Sequence, residues 1–350
     1  MRRRIFTIVG ARPQFIKAAA LSRAIKNDSF FEETLIHTGQ HFDTNMSEVF
    51  FQELDIPKPK YSLDIHGGPH GQMTGRMMEA IESILIEENP DAVLVYGDTN
   101  STLAGALVAS KLHIPVIHVE AGLRSYNRTM PEEINRVLTD HISDLLFCPT
   151  QTSIENLKKE GITRGVHHVG DIMYDATLHA LTRIKGDKKL EEKFASLPDR
   201  FVFMTIHRED STASLEVFQE VIDFAEEFSV NQDLKVVFPV HPRTKKLIET
   251  LPHALNDRFI LMEPLSYLET QFCLTKAQFV LTDSGGLQKE AYFHRVPCVT
   301  LRSETEWVET IEHGWNRLWT EPDYKERSMI ADYGDGNGAS QMIDIMKIRV

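Results

Sequence analysis

The sequence is poor in cysteine and has no long hydrophobic run, and both absences exclude classes of protein. Its three cysteines are widely spaced and odd in number, so they fit neither a disulfide framework nor a zinc motif. Each stands in an apolar run, which predicts a buried, hydrophobic role for Cys148, Cys273 and Cys298. The apolar stretch after the basic N-terminus is too short for a signal peptide or a membrane span, so we expect a cytoplasmic protein.

Positive charge is also in short supply. The 38 lysines and arginines are outnumbered by 51 aspartates and glutamates, and the net charge of −13 argues against binding to nucleic acid or to an anionic membrane. A phosphate ligand would therefore be held by local groups. The chain length of 350 residues suits two globular domains of about 150 residues each.

Short β-branched runs alternate with longer helical patterns, which predicts parallel sheets with helices on both faces. The predicted strands are Ile5–Val9, Thr34–His37, Ala92–Tyr96, Val116–Val119, Leu145–Cys148, Phe201–Ile206, Val236–Val240, Phe259–Met262, Phe279–Thr282 and Cys298–Leu301. Helical spacing of apolar residues predicts helices over Thr74–Asn89, Pro131–Ser143 and Leu215–Phe228. The join between two doubly wound domains is expected within 172–200, because the segment 181–200 is charged and lacks a strong apolar face.

Acidic residues follow two predicted strands and open one predicted helix. Ligands of open parallel sheets bind beyond the carboxyl ends of the strands, so Asp98 and Glu120 are candidate catalytic groups. Asp98 can equally be a helix N-cap, and Glu120 can equally pair with Arg124. Glu132 and Glu133 stand in the first turn of the helix that begins at 131, where the helix dipole alone can account for them.

Cations follow other strands. The segment Gly10–Lys17 brings Arg12 and Lys17 to a helix start, which is typical either of an anion site or of a plain turn with solvent-facing side chains. The segments 207–208 and 241–243 combine histidine with arginine after a strand, which suits phosphate.

The segment Thr282–Glu290 carries the strongest local signal. A strand runs into a Ser-Gly-Gly turn and then a helix, and the backbone N–H groups of such a turn can cradle a diphosphate. Glu290 lies further along that helix, and its two carboxylate oxygens can accept both hydroxyls of a ribose. We therefore predict a nucleotide-diphosphate site here.

Taken together, these segments resemble the non-hydrolysing UDP-N-acetylglucosamine 2-epimerases. The motifs occur in that family's order over nearly the whole chain: GARPQFIK at 10–17, YGDTNST at 96–102, HVEAGLRS at 118–125, MPEEINR at 130–136, HR at 207–208, HPR at 241–243, TDSGGLQKEA at 282–291 and YGDG at 333–336. The resemblance implies a GT-B-like α/β fold of two Rossmann-type domains with a cleft between them. The first would span 1–172, completed by the C-terminal helix Gly338–Arg349 within 337–350, and the second would span 173–336.

The resemblance also implies isomerase chemistry without a metal or nicotinamide cofactor. The C2 proton of a UDP-2-acetamido sugar is removed, UDP leaves C1, and a 2-acetamidoglycal stays bound until re-protonation from the other face and return of UDP complete the inversion. By motif, the acid/base carboxylates and the histidine that assists the leaving diphosphate correspond to Asp98, Glu120, Glu132 and His207. The substrate contacts correspond to Arg12, Lys17, Arg136, His241, Arg243, Ser284, Gly285, Gly286 and Glu290. Family members are commonly dimers, so a homodimer is expected.

Two motifs depart from the family's common pattern. The family's QEE is Gln-Lys-Glu at 288–290, and its TERPE is Thr-Glu-Trp-Val-Glu at 305–309. With the segments 37–51 and 64–77, these features are more similar to the subgroup that epimerises UDP-2,3-diacetamido-2,3-dideoxy-glucuronate for surface-polysaccharide synthesis. Much of the first half is shared with enzymes that make UDP-N-acetylmannosamine from UDP-N-acetylglucosamine, which is the alternative substrate.

Two alternative classes stay open, a GT-B glycosyltransferase and a non-catalytic UDP-sugar sensor. A second, activating substrate site occurs in some bacterial members, and the residues that match part of it are Gln40, His41, Arg208 and His241. The residues after His41 do not match, so we do not expect substrate activation.

Overall fold

A computed structural model describes residues 2–40, 51, 53–208, 210–212 and 214–349. The chain divides into two compact units. The first domain consists of Met1–Ala176 and Ala331–Val350, and the second domain consists of Thr177–Ile330.

The first domain is built on a parallel sheet. Its strands are β1 (Arg3–Val9), β2 (Phe31–His37), β3 (Tyr61–Ser62), β4 (Ala92–Tyr96), β5 (Val116–Val119), β6 (Leu145–Cys148) and β7 (Val166–His168). They lie in the order β3-β2-β1-β4-β5-β6-β7. The helices are α1 (Arg12–Lys26), α2 (His70–Glu88), α3 (Asn100–Lys111), α4 (Pro131–Ile142), α5 (Gln151–Lys159), α6 (Ile172–Ile184), which continues into the second domain, and, further along the chain, α13 (Gly338–Arg349).

The second domain repeats this plan. Its strands are β8 (Phe201–Thr205), β9 (Lys235–Pro239), β10 (Phe259–Met262), β11 (Ala277–Thr282), β12 (Cys298–Thr300) and β13 (Asn316–Leu318). They are parallel, in the order β10-β9-β8-β11-β12-β13. The helices are α7 (Lys188–Lys193), α8 (Leu215–Gln232), α9 (Pro242–Ile248), α10 (Tyr267–Leu274), α11 (Gly285–Phe293) and α12 (Val308–Glu312).

Continuous apolarity explains the central strands. Every residue of β4 is buried, because helices cover both faces of a parallel sheet. Met77, Ile81 and Leu85 recur at helical spacing on α2 and pack with Val93 and Val95 in one core cluster. Burying each of the three side chains stabilises the fold by roughly 2 kcal/mol.

Local signals fix where the helices begin and end. The Ser214 hydroxyl accepts a hydrogen bond from the Val217 N–H at 3.3 Å and caps the start of α8. The same helix ends at Asp233, which has a φ of 50°, and α2 ends at Asn89, with a φ of 43°. Short polar side chains tolerate this left-handed conformation better than bulky ones do.

The predicted alternation of strands and helices is confirmed. The predicted strands Ala92–Tyr96, Val116–Val119, Leu145–Cys148 and Phe259–Met262 have the observed bounds, and the other six differ by one to three residues at one or both ends. The predictions missed β3, β7 and β13. All three lie at a sheet edge and have two or three residues, so they lack the apolar run that marks a central strand.

The C-terminal helix packs against the first helix of the chain. α13 contacts α1, and the Lys347 ammonium pairs with the Asp28 carboxylate at 2.6 Å. The Asp175 carboxylate accepts hydrogen bonds from the Gly338 and Ala339 N–H groups, at 3.2 and 2.9 Å, and so caps the start of α13. Burial nevertheless raises the pKa of Asp175 to about 6.

The three cysteines are buried and unpaired, as predicted. Burial raises the pKa of each thiol, to about 12 for Cys273. Among the helices that the structure describes, none has both the length and the hydropathy needed to span a membrane.

Candidate active site

Each sheet has a point where the strand order reverses. This switch point lies between β1 and β4 in the first domain and between β8 and β11 in the second. Ligands of open α/β sheets bind at such points, beyond the carboxyl ends of the strands. The predicted site residues Lys17 and Asp98 flank the first switch point, and His207 and Ser284 flank the second.

Glu120 follows β5 with an unusual backbone conformation. Its φ is 69°, a region that costs a residue with a side chain about 1–3 kcal/mol and that persists mainly at functional sites. The Glu120 and Ala121 N–H groups both donate to the Phe147 carbonyl at 3.0 Å, which holds the turn. The Glu120 carboxylate pairs with the Lys17 ammonium, and both side chains are at most 10% exposed. Lys17, predicted as a substrate contact, is therefore the counter-ion of Glu120 in this structure.

The alternative partner predicted for Glu120 is wrong. Arg124 instead donates to Asp140 at 2.7 Å and to both carboxylate oxygens of Glu160 at 2.7 Å. Arg124 is therefore occupied by Asp140 and Glu160, whereas the Glu120 carboxylate pairs with Lys17.

Asp98 follows β4 and is held by Arg136 of α4. The Arg136 guanidinium donates to the Asp98 carboxylate from Nη2 at 2.5 Å and from Nε at 3.2 Å. Asp98 is not the N-cap of α3, because Thr99 caps that helix by accepting from the Thr102 N–H at 3.2 Å. Arg136, predicted as a substrate contact, thus also orients a predicted catalytic carboxylate.

Glu133 is a buried anchor that the sequence did not reveal. Its carboxylate accepts from the backbone N–H groups of Ser125 and Tyr126, both at 2.9 Å, and from Arg136 at 2.7 Å. Burial opposes ionisation, but these hydrogen bonds and the Arg136 charge outweigh it and lower the pKa of Glu133. Helix dipole complementarity is therefore not the reason for this carboxylate.

The neighbouring Glu132 is different. It is half-buried in the first turn of α4, and it makes no hydrogen bond or ion pair to the residues that the structure describes. About one helical turn further along α4 lies Asn135, whose amide donates to the Asp98 carbonyl at 3.0 Å and to the Asn100 side chain at 3.2 Å. In the first turn of α4, Glu133 therefore holds the loop at 125–126, and Glu132 provides a carboxylate without a hydrogen bond to the described residues.

The turn after β1 is closed by Gln14. Its side-chain oxygen accepts from the Gly10 and Ala11 N–H groups, at 2.8 and 3.0 Å. Its amide nitrogen donates to the Tyr96 carbonyl and to the Thr102 hydroxyl, both at 2.9 Å. The Gly10 and Ala11 N–H groups belong to the predicted anion site, and both already donate to the buried side-chain oxygen of Gln14. Arg12 lies half-buried at the first position of α1.

In the second domain a buried aspartate holds His207. The Asp283 carboxylate accepts from the backbone N–H groups of His207 and Arg208, at 2.9 and 2.8 Å. The His207 ring lies 3.2 Å from the other Asp283 oxygen and is 50% exposed. Burial opposes ionisation, but the His207 contacts and the backbone N–H groups outweigh it and keep the pKa of Asp283 low. Sequence reasoning missed Asp283, although it stands inside the motif that revealed Ser284.

The Ser-Gly-Gly turn opens α11. Ser284 is the N-cap, and its hydroxyl accepts from the Leu287 N–H at 3.4 Å. A Cβ atom at Gly285 would lie 2.4 Å from Glu306 Oε1 and 3.2 Å from Trp307 Nε1, so these side chains would have to shift to accommodate it. At Gly286 an added Cβ would meet only the Ser284 hydroxyl at 3.9 Å. A helix start of this kind presents N–H groups and a positive dipole end to an anion.

The two departures from the family's motifs meet in one contact. Lys289 is 1% exposed, and its ammonium lies 3.6 Å from the centre of the Trp307 ring. A buried ammonium over an indole face is attracted by the ring quadrupole. The next residue, Glu290, is also buried, at 6% exposure. One cation–π pair thus joins Lys289 of the first departure to Trp307 of the second.

Other predicted residues have fewer described features. His241 is exposed and directly precedes α9, while the Arg243 side chain and the whole of His41 lie outside the described residues. Gln40 borders a cavity of about 590 Å³ in the first domain. Within the described residues, no group of three or more His, Cys, Asp or Glu side chains is placed to hold a metal ion.

Similarity to known proteins extends over almost the whole chain. Residues 23–347 match the UDP-N-acetylglucosamine 2-epimerase family. The chain is 48% identical to a UDP-N-acetylglucosamine 2-epimerase homolog of Methanococcus maripaludis, covering 98% of this chain and 99% of the relative. It is 52% identical to the UDP-2,3-diacetamido-2,3-dideoxy-D-glucuronate 2-epimerase of Pseudomonas aeruginosa, covering 90% and 88%.

Solved structures show the same fold. The crystal structure of Methanocaldococcus jannaschii UDP-GlcNAc 2-epimerase in complex with UDP-GlcNAc and UDP has a TM-score of 0.88 and 39% identity, with 99% of this chain and 100% of that chain covered. The Neisseria meningitidis enzyme bound to UDP-GlcNAc has a TM-score of 0.88 and 28% identity, with 99% and 100% covered. The prediction of two Rossmann-type domains of the GT-B-like class is confirmed. The chain belongs to the UDP-N-acetylglucosamine 2-epimerase family.

Proposed function

We propose that this enzyme inverts carbon 2 of a UDP-linked 2-acetamido sugar, from the gluco to the manno configuration. The observation that carries the proposal is the arrangement beside the first switch point. Asp98 and Glu120 follow the adjacent strands β4 and β5, and each is paired with a buried cation from a neighbouring helix. Membership of the 2-epimerase family supports the same reaction.

The chemistry explains this set of groups. The C2 proton is weakly acidic, so its removal needs a base that is already close and a leaving group that is stabilised. Lys17 and Arg136 orient Glu120 and Asp98, and ion-paired carboxylates can accept a proton. One base does not easily reach both faces of C2, so we assign the proton transfers on the two faces to Asp98, Glu120 and Glu132 together.

The second domain provides for the departure of UDP. As the C2 proton is removed, the C1–oxygen bond breaks, its electrons go to the diphosphate, and a C1–C2 double bond forms in the sugar. We propose that the α11 start at Ser284, Gly285 and Gly286 binds the diphosphate and that His207 donates to its developing charge. Asp283 supports this role because it holds the His207 backbone and has a carboxylate oxygen 3.2 Å from the His207 ring. Glu290 is assigned to the ribose, and Arg12, His241 and Arg243 to further substrate contacts.

For the substrate we favour UDP-2,3-diacetamido-2,3-dideoxy-glucuronate, a precursor for surface polysaccharide. The 52% identity to an enzyme named for that sugar supports this choice. UDP-N-acetylglucosamine is the alternative, supported by the 48% identity to a UDP-N-acetylglucosamine 2-epimerase homolog over a larger share of both chains. Initial rates with each sugar, measured side by side, decide between them. If the enzyme turns over only UDP-N-acetylglucosamine, the uronate is not its substrate, and the proposed epimerisation at C2 still stands.

The reaction itself is tested by incubation in deuterated water without an acceptor. We expect deuterium at C2 of both epimers, detected by NMR or mass spectrometry, because the proton exchanges with solvent through the carboxylates. Transfer of the sugar to an acceptor with no deuterium at C2 would instead support a glycosyltransferase. Binding of the UDP-sugar with neither outcome would support a sensor.

Substitutions assign the carboxylates. Asp98→Asn and Glu120→Gln should each lower kcat by about 10²- to 10⁴-fold, the usual contribution of an acid/base group. Asp144→Asn is a matched control, since Asp144 is exposed and accepts from the Val116 N–H at 2.9 Å, at the opposite end of β5 from Glu120. Unchanged turnover in both test variants would refute the catalytic assignments. The cytoplasmic location and the homodimer also stay predictions, the latter checked by light scattering.

A further inference from the structure

A buried polar network connects the loops that bear Asp98 and Glu120. His118 of β5 and Asp140 of α4 are 0% and 1% exposed, and His118 Nδ1 lies 2.7 Å from Asp140 Oδ1. The other ring nitrogen, Nε2, lies 2.7 Å from the Gly97 carbonyl oxygen. His118 thus bridges a helix and the turn directly before Asp98.

The hydrogen-bond roles in this network follow from the partners. A carbonyl oxygen can only accept, so Nε2 donates to Gly97, and Nδ1 donates to the Asp140 carboxylate. The second Asp140 oxygen accepts from Arg124 at 2.7 Å and from the Gly122 N–H at 3.1 Å. Burial opposes ionisation of Asp140, but the His118 and Arg124 contacts outweigh it and lower its pKa.

These contacts hold two turns whose backbone is constrained. Gly97 has a φ of 61° and Gly122 a φ of 80°. A Cβ atom at Gly97 would lie 3.3 Å from both Glu120 Oε2 and Lys17 Nζ, so the turn before Asp98 lies directly against the Glu120 ion pair. The His118–Asp140 pair therefore holds the backbone next to one carboxylate by Gly97 and next to the other by Gly122.

We propose that His118 and Asp140 are positioning residues, which fix the separation of Asp98 and Glu120 and so set the partition between inversion and return of the C2 proton to its original face. This role rests on the proposed function. Inversion requires that protonation follow deprotonation from the opposite face, so the outcome depends on the relative position of the two carboxylates. A displacement of about 1 Å can cost about 10²-fold in rate.

Asp140→Asn tests the role, with Glu160→Gln as its matched control. Both variants remove one carboxylate partner of Arg124, but only Asp140 contacts His118 and Gly122. We expect Asp140→Asn to lower kcat by about 10- to 100-fold with KM changed by less than about threefold. In deuterated water, the ratio of deuterium in recovered substrate to deuterium in inverted product should shift by at least about threefold. Glu160→Gln should keep both the kcat and this ratio.

A second variant covers the case that Asp140→Asn does not fold. His118→Gln replaces two ring nitrogens that point in different directions by a single amide nitrogen, so we expect it to lose the contact to Asp140 or the contact to Gly97 and to show the same shift in deuterium ratio. Wild-type kcat and ratio in either variant, with only a lowered Tm, would overturn the positioning role and leave the proposed function intact. Absence of deuterium exchange in the wild-type enzyme would overturn the proposed function and this role with it.

Discussion

The second domain should lose stability in acid because of one half-buried histidine, His294. His294 ends α11, and its Nε2 lies 2.7 Å from the Gln271 side-chain oxygen. Burial lowers the pKa of His294 to about 4, from an ordinary value of 6.5. The unfolded chain therefore binds this proton below pH 6.5, whereas the folded domain binds it only near pH 4. Above pH 6.5 the neutral His294 does not reduce the free energy of unfolding. That free energy falls as the pH decreases from 6.5 to about 4, because only the unfolded chain binds the proton in this range.

The size of the effect follows from the gap between the two values. A difference from 6.5 to about 4 corresponds to about 3 kcal/mol in total, and to about 2 kcal/mol between pH 8 and pH 5. His294→Gln removes the titration and retains an amide that can donate to Gln271. The variant should therefore lose about 2 kcal/mol less free energy of unfolding than the wild type over this pH change.

Tryptophan fluorescence reports this domain selectively, because Trp307, Trp315 and Trp319 are the only tryptophans in the sequence and all lie in the second domain. Urea unfolding followed by fluorescence at pH 8 and pH 5 gives the two free energies. The exposed His253 supplies a control, since His253→Gln should leave the pH dependence unchanged. Equal pH dependence in wild type and His294→Gln would refute the reasoning.

Three further substitutions test other features. The pKa of Asp175 is raised to about 6, so its ionisation destabilises the first domain as the pH rises from 4 to 7. The free energy of unfolding should fall by up to about 3 kcal/mol over this range. Asp175→Asn should remove most of that fall, as measured by calorimetry. Gly285→Ala places a Cβ 2.4 Å from Glu306 Oε1 and should weaken UDP binding at least about tenfold by titration calorimetry, whereas unchanged affinity would place the diphosphate elsewhere. Arg136→Lys cannot make the guanidinium's separate contacts to Asp98 and Glu133, so kcat should fall about tenfold or more, and a wild-type rate would contradict that role.

The central strands of both sheets could be predicted because each is a continuous apolar run in the sequence. A strand covered by helices on both faces must be apolar along its length, and Ala92–Tyr96 shows this clearly. The edge strands lack such an apolar run, because an edge strand needs apolar residues on fewer sides. The examples have only two or three residues, Tyr61–Ser62 and Asn316–Leu318. Their pairing depends on neighbours that are distant in the sequence.

The candidate site residues follow from a similar argument. Asp98 and Glu120 became candidates because the carboxyl end of a parallel strand is where such sheets bind ligands. Which charges meet could not be read, because partners are far apart in the chain: Lys17 pairs with Glu120 and Arg136 with Asp98. Glu133 was missed because two adjacent glutamates in a first helical turn have a sufficient local explanation in the helix dipole.

Buried carboxylates that accept backbone N–H groups recur at both switch points. Glu133 holds the loop at 125–126, Asp140 holds Gly122, and Asp283 holds the backbone at 207–208. Hydrogen bonds to a charged acceptor are worth about 1.5–3 kcal/mol each, enough to offset much of the cost of burying the acid. Such bonds fix a loop before any substrate arrives, and electrostatic catalysis depends on donors and acceptors that need not reorganise. We therefore propose that Glu133, Asp140 and Asp283 hold the backbone beside the candidate catalytic residues Asp98, Glu120 and His207 before a ligand binds.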